Sequence, residues 1–226
     1  MKCTIKLFCF VLFTQLIAGY VTGSNTMSEN RIDQDGVKKQ YVCPPCGCNR
    51  DNEVFAEPGT CSLCKMAYVE KTDKLRDADA IFTFTRATQQ FCTGGQPTME
   101  QLESLKKEGI KTIINLRPAV EHQGEKEEAK AKALGFRYIN IPVVYLAPKD
   151  ENVDAFLKAT DELNGERVFI HCTAAIRVSA FWMIRRVLRD GLTFEQALEE
   201  ANKMGLRNRT HLIEFARKYV ETHSKR

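Results

Sequence analysis

The sequence predicts an α/β domain, a mostly parallel sheet flanked by helices, preceded by a small cysteine-rich knuckle. Three observations predict it. Beyond residue 80, short β-branched and aromatic runs alternate with segments of helical period. Those runs read as strands buried under helices on both faces. Five of the nine cysteines gather between Tyr41 and Glu70, apart from that alternation. The chain divides into a targeting signal (1–23), a linker (24–40), a cysteine module (41–70), a second linker (71–80) and the main domain (81–226). Its 226 residues, 43% hydrophobic, suffice for one ordinary core plus these additions.

The main domain reads as follows. Ile81-Phe82-Thr83-Phe84 is expected as an edge strand, and Gln90 to Thr93 as the next, ending at Gly94-Gly95-Gln96-Pro97. Thr98 starts a helix with Gln101 as its capping-box partner; Leu102 and Leu105 face inward and Gly109 terminates it. Ile110 to Leu116 is a strand broken by Arg117-Pro118, and Glu125 to Leu134 is a charged, Ala-rich helix stopped by Gly135. Phe136 to Val144 is a strand, Asn152 to Leu163 a helix, and Val168 to His171 the central strand. Arg177 opens a helix whose Ala180, Phe181, Ile184, Val187 and Leu188 share a face. Thr193, with Gln196 as box partner, begins another helix; Leu212, Phe215, Tyr219 and Val220 mark the last.

The first residues carry a targeting pattern. Lys2 and Lys6 are followed by apolar Leu7 to Ala18, broken only by Thr14 and Gln15, and Val21 and Gly23 form a small-residue cleavage site before Ser24. The apolar run is shorter than the ~20 residues a membrane span needs. The expectation is an exported protein, periplasmic or secreted, with no membrane span after cleavage. A net charge of +4, without a basic patch interleaved with aromatics, gives no reason to expect nucleic acid as a partner.

Cys43-Pro44-Pro45-Cys46 and Cys61-Ser62-Leu63-Cys64 are two Cys-x-x-Cys pairs with 14 residues between them. Such knuckles place four thiolates around one soft or borderline ion. About thirty residues cannot fold alone without a cross-link, so the alternative is two disulfides, which an oxidising compartment favours. Cys48 is a fifth candidate. The stretch resembles the heavy-metal-binding domain of copper and efflux proteins through Tyr41, Cys43, Pro44, Pro58, Gly59, Cys61, Cys64 and Met66. That family has His where this chain has Cys46, Met at Pro45 and Gly at Lys65. The resemblance implies a heavy-metal ion as partner, and the His-to-Cys change softens the site toward zinc or copper(I).

The functional stretch is Arg167 to Ser179. A strand leads into a tight loop, His171-Cys172-Thr173-Ala174-Ala175-Ile176-Arg177, and then into a helix. Strand, loop and helix aim backbone N–H groups at an anion. A thiol at the loop's base feels the helix N-terminus and the Arg177 charge, both of which favour the nucleophilic thiolate. The loop resembles that of cysteine-dependent phosphatases, which read His-Cys, five residues, Arg, Ser/Thr. Here four residues separate Cys172 from Arg177, the count of many rhodanese-type sulfurtransferase loops. Ala174 and Ala175 replace the central Gly of both families; a left-handed residue other than Gly there costs roughly 1–2 kcal/mol.

The order of motifs resembles the phosphatase-like domain of the beta-lactamase-hydrolase-like proteins, related to the dual-specificity phosphatases. It is carried by Gly94-Gly95-Gln96-Pro97, Ile114-Asn115-Leu116-Arg117-Pro118, Glu121, Ile141-Pro142 and the His171-Cys172 loop. The resemblance implies a cysteine-phosphatase-like fold that hydrolyses phosphate monoesters without a cofactor in this domain. Cys172 attacks phosphorus, Arg177 pairs with two phosphate oxygens, and N–H groups from Thr173 through Ala174, Ala175 and Ile176 hold the oxygens. His171 fixes the loop and Ser179 hydrogen-bonds the leaving thiolate. Asp150 is the nearest carboxylate to the position of the family's general acid. Arg117 and Glu121 either support the loop or form a surface salt bridge at a strand end.

Two alternatives stand beside this reading. A sulfurtransferase would carry a persulfide on Cys172 and need no general acid. A non-catalytic protein would bind an oxyanion at the loop and a metal at the knuckle. The partner is accordingly a phosphorylated or sulfur-containing small molecule or protein.

Overall fold

The structure is a computed structural model; it describes residues 39–43, 50, 53–71, 77–121 and 124–224. The expected targeting signal, Cys46 and Cys48 lie outside the described residues.

The cysteine-rich segment is built on three two-residue strands, β1 (Tyr41–Val42), β2 (Val54–Phe55) and β3 (Val69–Glu70). They pair antiparallel in the order β2-β1-β3. Phe55 stacks on Tyr68 with ring centroids 4.0 Å apart, which supplies apolar contact that strands this short lack.

The second sheet has strands β4 (Thr85–Arg86), β5 (Phe91–Gly94), β6 (Thr112–Asn115), β7 (Arg137–Asn140) and β8 (Val168–His171), in the order β4-β5-β8-β6-β7. β5, β8, β6 and β7 run parallel, and only β4 is antiparallel to its neighbour. The expected mostly parallel sheet is therefore present. Its helices are α1 (Met99–Lys107), α2 (Gly124–Ala133), α3 (Asp150–Asp161), α4 (Ile176–Asp190), α5 (Phe194–Ala201) and α6 (Thr210–His223).

Period-2 alternation decides which side chains reach which face. Val168, Ile170 and Cys172 join Ile114 and Leu116 in the larger core, beneath residues of α3, α4, α5 and α6 such as Phe156, Phe181, Ala197 and Ala216. Phe169, Ile113 and Cys92 point the other way, into a second core with Leu102 and Leu105 of α1 and Ala131 of α2. Trp182 is fully buried, 5.0 Å from Phe91, and donates its indole N–H to Glu200 at 2.8 Å.

Local signals account for most boundaries. Thr98 and Thr193 both form complete capping boxes with Gln101 and Gln196. α3 starts two residues earlier than expected, with the Asn152 side chain accepting from the Lys149 N–H at 3.1 Å. The edge strand is corrected. Ile81 to Phe84 is a turn, closed by the Phe84 N–H on the Ile81 carbonyl at 2.9 Å with Thr83 left-handed (φ 55°), and the strand follows at Thr85. Burial of Ile81 in the α1-side core holds it there, so its apolar run marks packing rather than extension. A π-turn at Asn202–Leu206 between α5 and α6 carried no periodic signal.

Candidate active site

β8 lies between β5 and β6, and the loop 172–175 leaves its carboxyl end to enter α4. The loop is held against the extension of β5. The Cys172 N–H reaches the Gly94 carbonyl at 3.4 Å, the Gln96 N–H donates to the Thr173 carbonyl at 3.1 Å, and Gly95 bridges Ala174. A Cβ on Gly95 would sit 2.8 Å from the Thr173 oxygen, so only glycine permits this approach.

Ala175 is the residue that turns the chain, left-handed at φ 62°. Its methyl faces Gly205, where an added Cβ would lie 3.2 Å from it. The absent loop glycine is thus compensated by a glycine elsewhere, in the π-turn. The Ala175 carbonyl accepts from both the N–H and the hydroxyl of Ser179, each at 2.9 Å. The Ser179 proton therefore goes to the backbone and not to the Cys172 sulfur, a correction to its expected role. The first N–H groups of α4 lack intrahelical partners, as at any helix start, and face an anion favourably with the helix dipole.

Cys172 is 1% exposed, at the base of this loop, and its sulfur interacts with the Arg177 guanidinium. Arg177 is itself buried. One terminal nitrogen donates to Glu121 Oε1 at 2.9 Å and to the Val143 carbonyl at 2.8 Å. The other donates to Glu121 Oε2 at 2.6 Å and to Thr173 Oγ1 at 2.8 Å. Burial works against its charge, but the bonds to Glu121 and the Cys172 sulfur outweigh burial and raise its pKa above the ordinary value. The guanidinium therefore stays charged beside the Cys172 sulfur.

Arg117 and Glu121 do not form a surface pair. Arg117 is 2% exposed and donates to Gln96 Oε1 at 2.8 Å and to the Glu121 carbonyl at 2.6 Å, with its Nε 3.6 Å from the Glu121 carboxylate. Burial and then the neighbouring Arg177 charge lower its pKa, partly countered by Glu121. His171 points to the α2 side, with Nε2 2.8 Å from Glu127 Oε1, and both residues are buried. Glu127 also accepts from Gln96 at 2.6 Å and from Tyr138 at 3.1 Å. Burial, reinforced by the Glu127 charge, raises the Tyr138 pKa. Gln96, Glu127 and Tyr138 were missed in the sequence; Gln96 sat in a quoted motif, whereas a Glu in a charged helix gives no sign that it is buried.

Asp150 is exposed at the first position of α3, where its charge acts on Tyr219 of α6. Among the described residues, no hydrogen bond or ion pair joins it to Cys172 or Arg177.

In the cysteine module, the sulfurs of Cys43, Cys61 and Cys64 lie within 4.8 Å of one another; Cys46, the fourth expected ligand, lies outside the described residues. Cys61 and Cys64 sit on a turn closed by Cys61 N–H to Met66 O (2.8 Å) and Lys65 N–H to Cys61 O (3.0 Å), with Lys65 left-handed. Hydrogen bonds from the Cys64 N–H first, and then from the Leu63 N–H and the neighbouring thiols, lower the Cys61 pKa to about 6 against the effect of burial. Cys43 and Cys64 are 3.3 Å apart, well beyond the ~2.05 Å of a disulfide. Converging soft sulfurs, one of them acidified, fit zinc or copper(I).

A parallel sheet carrying a Cys–Arg loop between its central strand and a helix defines a cysteine-phosphatase-like domain. Residues 58–214 match the family described as DSP-PTPase phosphatase fused to NAD+ kinase, and the chain belongs to that family. The beta-lactamase hydrolase-like protein of Agrobacterium fabrum is 30% identical over 122 residues, covering 52% of this chain and 28% of that protein. Its counterpart from Xylella fastidiosa is 26% identical over 104 residues, so the chain spans about a quarter of the length of these curated relatives. Among solved structures, a DUF442 protein from Shewanella putrefaciens is 27% identical, with TM-score 0.54 over 64% of this chain and 98% of that one. The core catalytic domain of the PP-IP phosphatase SIW14 from S. cerevisiae shares the fold, with TM-score 0.56 at 15% identity over 64% of this chain and 90% of that one.

Proposed function

We propose that the protein is an exported phosphatase that hydrolyses phosphate monoesters through a phosphocysteine intermediate. The observation that carries this reading is the Cys172–Arg177 pair, with the guanidinium fixed by Glu121 and the sulfur at the start of α4. The Cys172 thiolate attacks phosphorus and the P–O bond to the leaving group breaks. The leaving oxygen takes a proton as the alcohol forms. Water then attacks phosphorus, giving a proton to the carboxylate that had protonated the leaving group, and the S–P bond breaks to release inorganic phosphate and restore the thiolate. The α4 N–H groups and Arg177 hold the equatorial oxygens, where charge gathers in the transition state. Arg177 can reach them by exchanging its bond to Thr173 Oγ1, a weaker acceptor than phosphate, while Glu121 keeps its grip.

Leaving-group protonation is assigned to Asp150, the first carboxylate after the segment whose Val143 carbonyl holds Arg177. The test is purified protein with p-nitrophenyl phosphate, and separately with thiosulfate and cyanide, each beside Cys172→Ser. Phosphate release that the variant lacks supports the reading; thiocyanate instead would replace it with sulfur transfer.

The cysteine module supports a second, independent reading, as a metal knuckle for zinc or copper, on the convergence of Cys43, Cys61 and Cys64. Export rests on the pattern of Lys2, Lys6 and Leu7 to Ala18, and N-terminal sequencing of the mature protein tests it, with Ser24 expected first.

A further inference from the structure

We propose that Gln96 and Arg117 are positioning residues that set the orientation of Arg177 in the anion loop; this rests on the phosphatase reading above. A continuous buried chain of side chains runs behind the loop. His171 Nε2 lies 2.8 Å from Glu127, whose other oxygen accepts from Gln96 Nε2 at 2.6 Å. Gln96 Oε1 accepts from Arg117 at 2.8 Å; Arg117 donates to the Glu121 backbone at 2.6 Å, and the Glu121 carboxylate holds Arg177 at both ends. The hydrogen-bonded part of the chain starts at Glu127, beside the residue that precedes Cys172, and ends at the loop arginine.

Gln96 suits its place because its amide has two unlike ends. The carbonyl faces a cation and the amino group faces an anion, and the same amino group also donates to the Pro97 carbonyl at 3.2 Å. No carboxylate or ammonium could face both neighbours. With Gln96 in place, Arg117 is pinned at one terminal nitrogen and can pin the Glu121 backbone with the other. Glu121 is partly exposed at its carboxylate, and this backbone contact ties the turn that carries it to the buried Arg117. A misplacement of the guanidinium by about 1 Å is enough to lower turnover about 100-fold.

The test compares wild type, Gln96→Met and Gln96→Glu for kcat/KM on p-nitrophenyl phosphate, tungstate affinity by calorimetry, and fold by circular dichroism. Met removes the contacts to Arg117, Glu127 and the Pro97 carbonyl; Glu keeps the one to Arg117 and sets a carboxylate against Glu127. The expected result is folded variants whose kcat/KM and tungstate affinity fall together, about 100-fold in turnover for Gln96→Met and less for Gln96→Glu. Wild-type turnover and tungstate affinity in a folded Gln96→Met would overturn the proposal. So would loss of the folded state in both variants, because the chain would then hold the fold and not the loop. A wild type that binds tungstate without turnover rejects the phosphatase reading alone, and tungstate affinity across the variants then decides the positioning role. A wild type that binds no oxyanion rejects both.

Discussion

Glu121 grips Arg177 at both terminal nitrogens, at 2.9 and 2.6 Å, from a 3₁₀ turn (Ala119–Glu121) that follows β6, while Arg177 belongs to α4. Residues 56 positions apart thus fix the direction of a cation beside Cys172. Glu121→Gln retains the shape and removes the charge. Loss of a charge-assisted bond to a buried arginine is expected to destabilise the domain by about 2 kcal/mol. Turnover on p-nitrophenyl phosphate is expected to fall by more than the folded fraction does. Denaturant melts beside steady-state kinetics separate the two effects.

Cys172→Ser keeps the loop's volume and its backbone N–H groups. It is expected to abolish turnover while leaving tungstate binding and the unfolding midpoint close to wild type, since the loop is held by Gly94, Gln96 and Gly95 rather than by the thiol. Calorimetric titration of the variant with tungstate checks this.

The Ala175 and Gly205 pair predicts opposite signs. Ala175→Gly removes a left-handed alanine, worth roughly 1–2 kcal/mol, against an unfolded-state entropy cost of about 0.5–1 kcal/mol. It is expected to be neutral or slightly stabilising. Gly205→Ala puts a methyl at φ 121°, 3.0 Å from Thr83 and 3.2 Å from Ala175, and is expected to destabilise by about 1–3 kcal/mol and to loosen the loop. Urea midpoints of the two variants test the pair.

Leaving-group dependence tests Asp150. Nitrophenolate departs without much help, whereas an alkoxide needs a proton. Asp150→Asn is therefore expected to leave p-nitrophenyl phosphate nearly unaffected and to slow an alkyl phosphate by about 100-fold. Equal effects on both substrates would remove Asp150 from the mechanism.

Alkaline stability follows from two tyrosines. Burial raises Tyr138, aided by Glu127, and raises Tyr219, whose hydroxyl donates to Asp154 at 2.5 Å. Both keep their protons in the folded state after the unfolded chain has lost them. Stability is therefore full below the ordinary tyrosine pKa near 10 and falls as pH rises above it, with a slope approaching one proton per tyrosine. Urea melts between pH 9 and pH 11.5, compared with Tyr138→Phe, check the sign.

Much of the fold, and the loop that brings Cys172 and Arg177 together, were legible in the chain. Capping boxes at Thr98 and Thr193, the apolar runs of β6 and β8, and the Cys172–Arg177 spacing are local patterns, because capping, strand burial and a helix-start loop each depend on neighbours in sequence. What the tertiary structure alone decided was the setting of those residues. Glu127 looks like one more charge on an exposed helix, yet α2 packs beside β7 so that its carboxylate meets His171, Gln96 and Tyr138. Room for the Ala175 methyl comes from Gly205, thirty residues away across the chain's return. Long-range contacts of this kind are set by how helices pack on a sheet, and the period of a single segment carries no record of the neighbour it will meet.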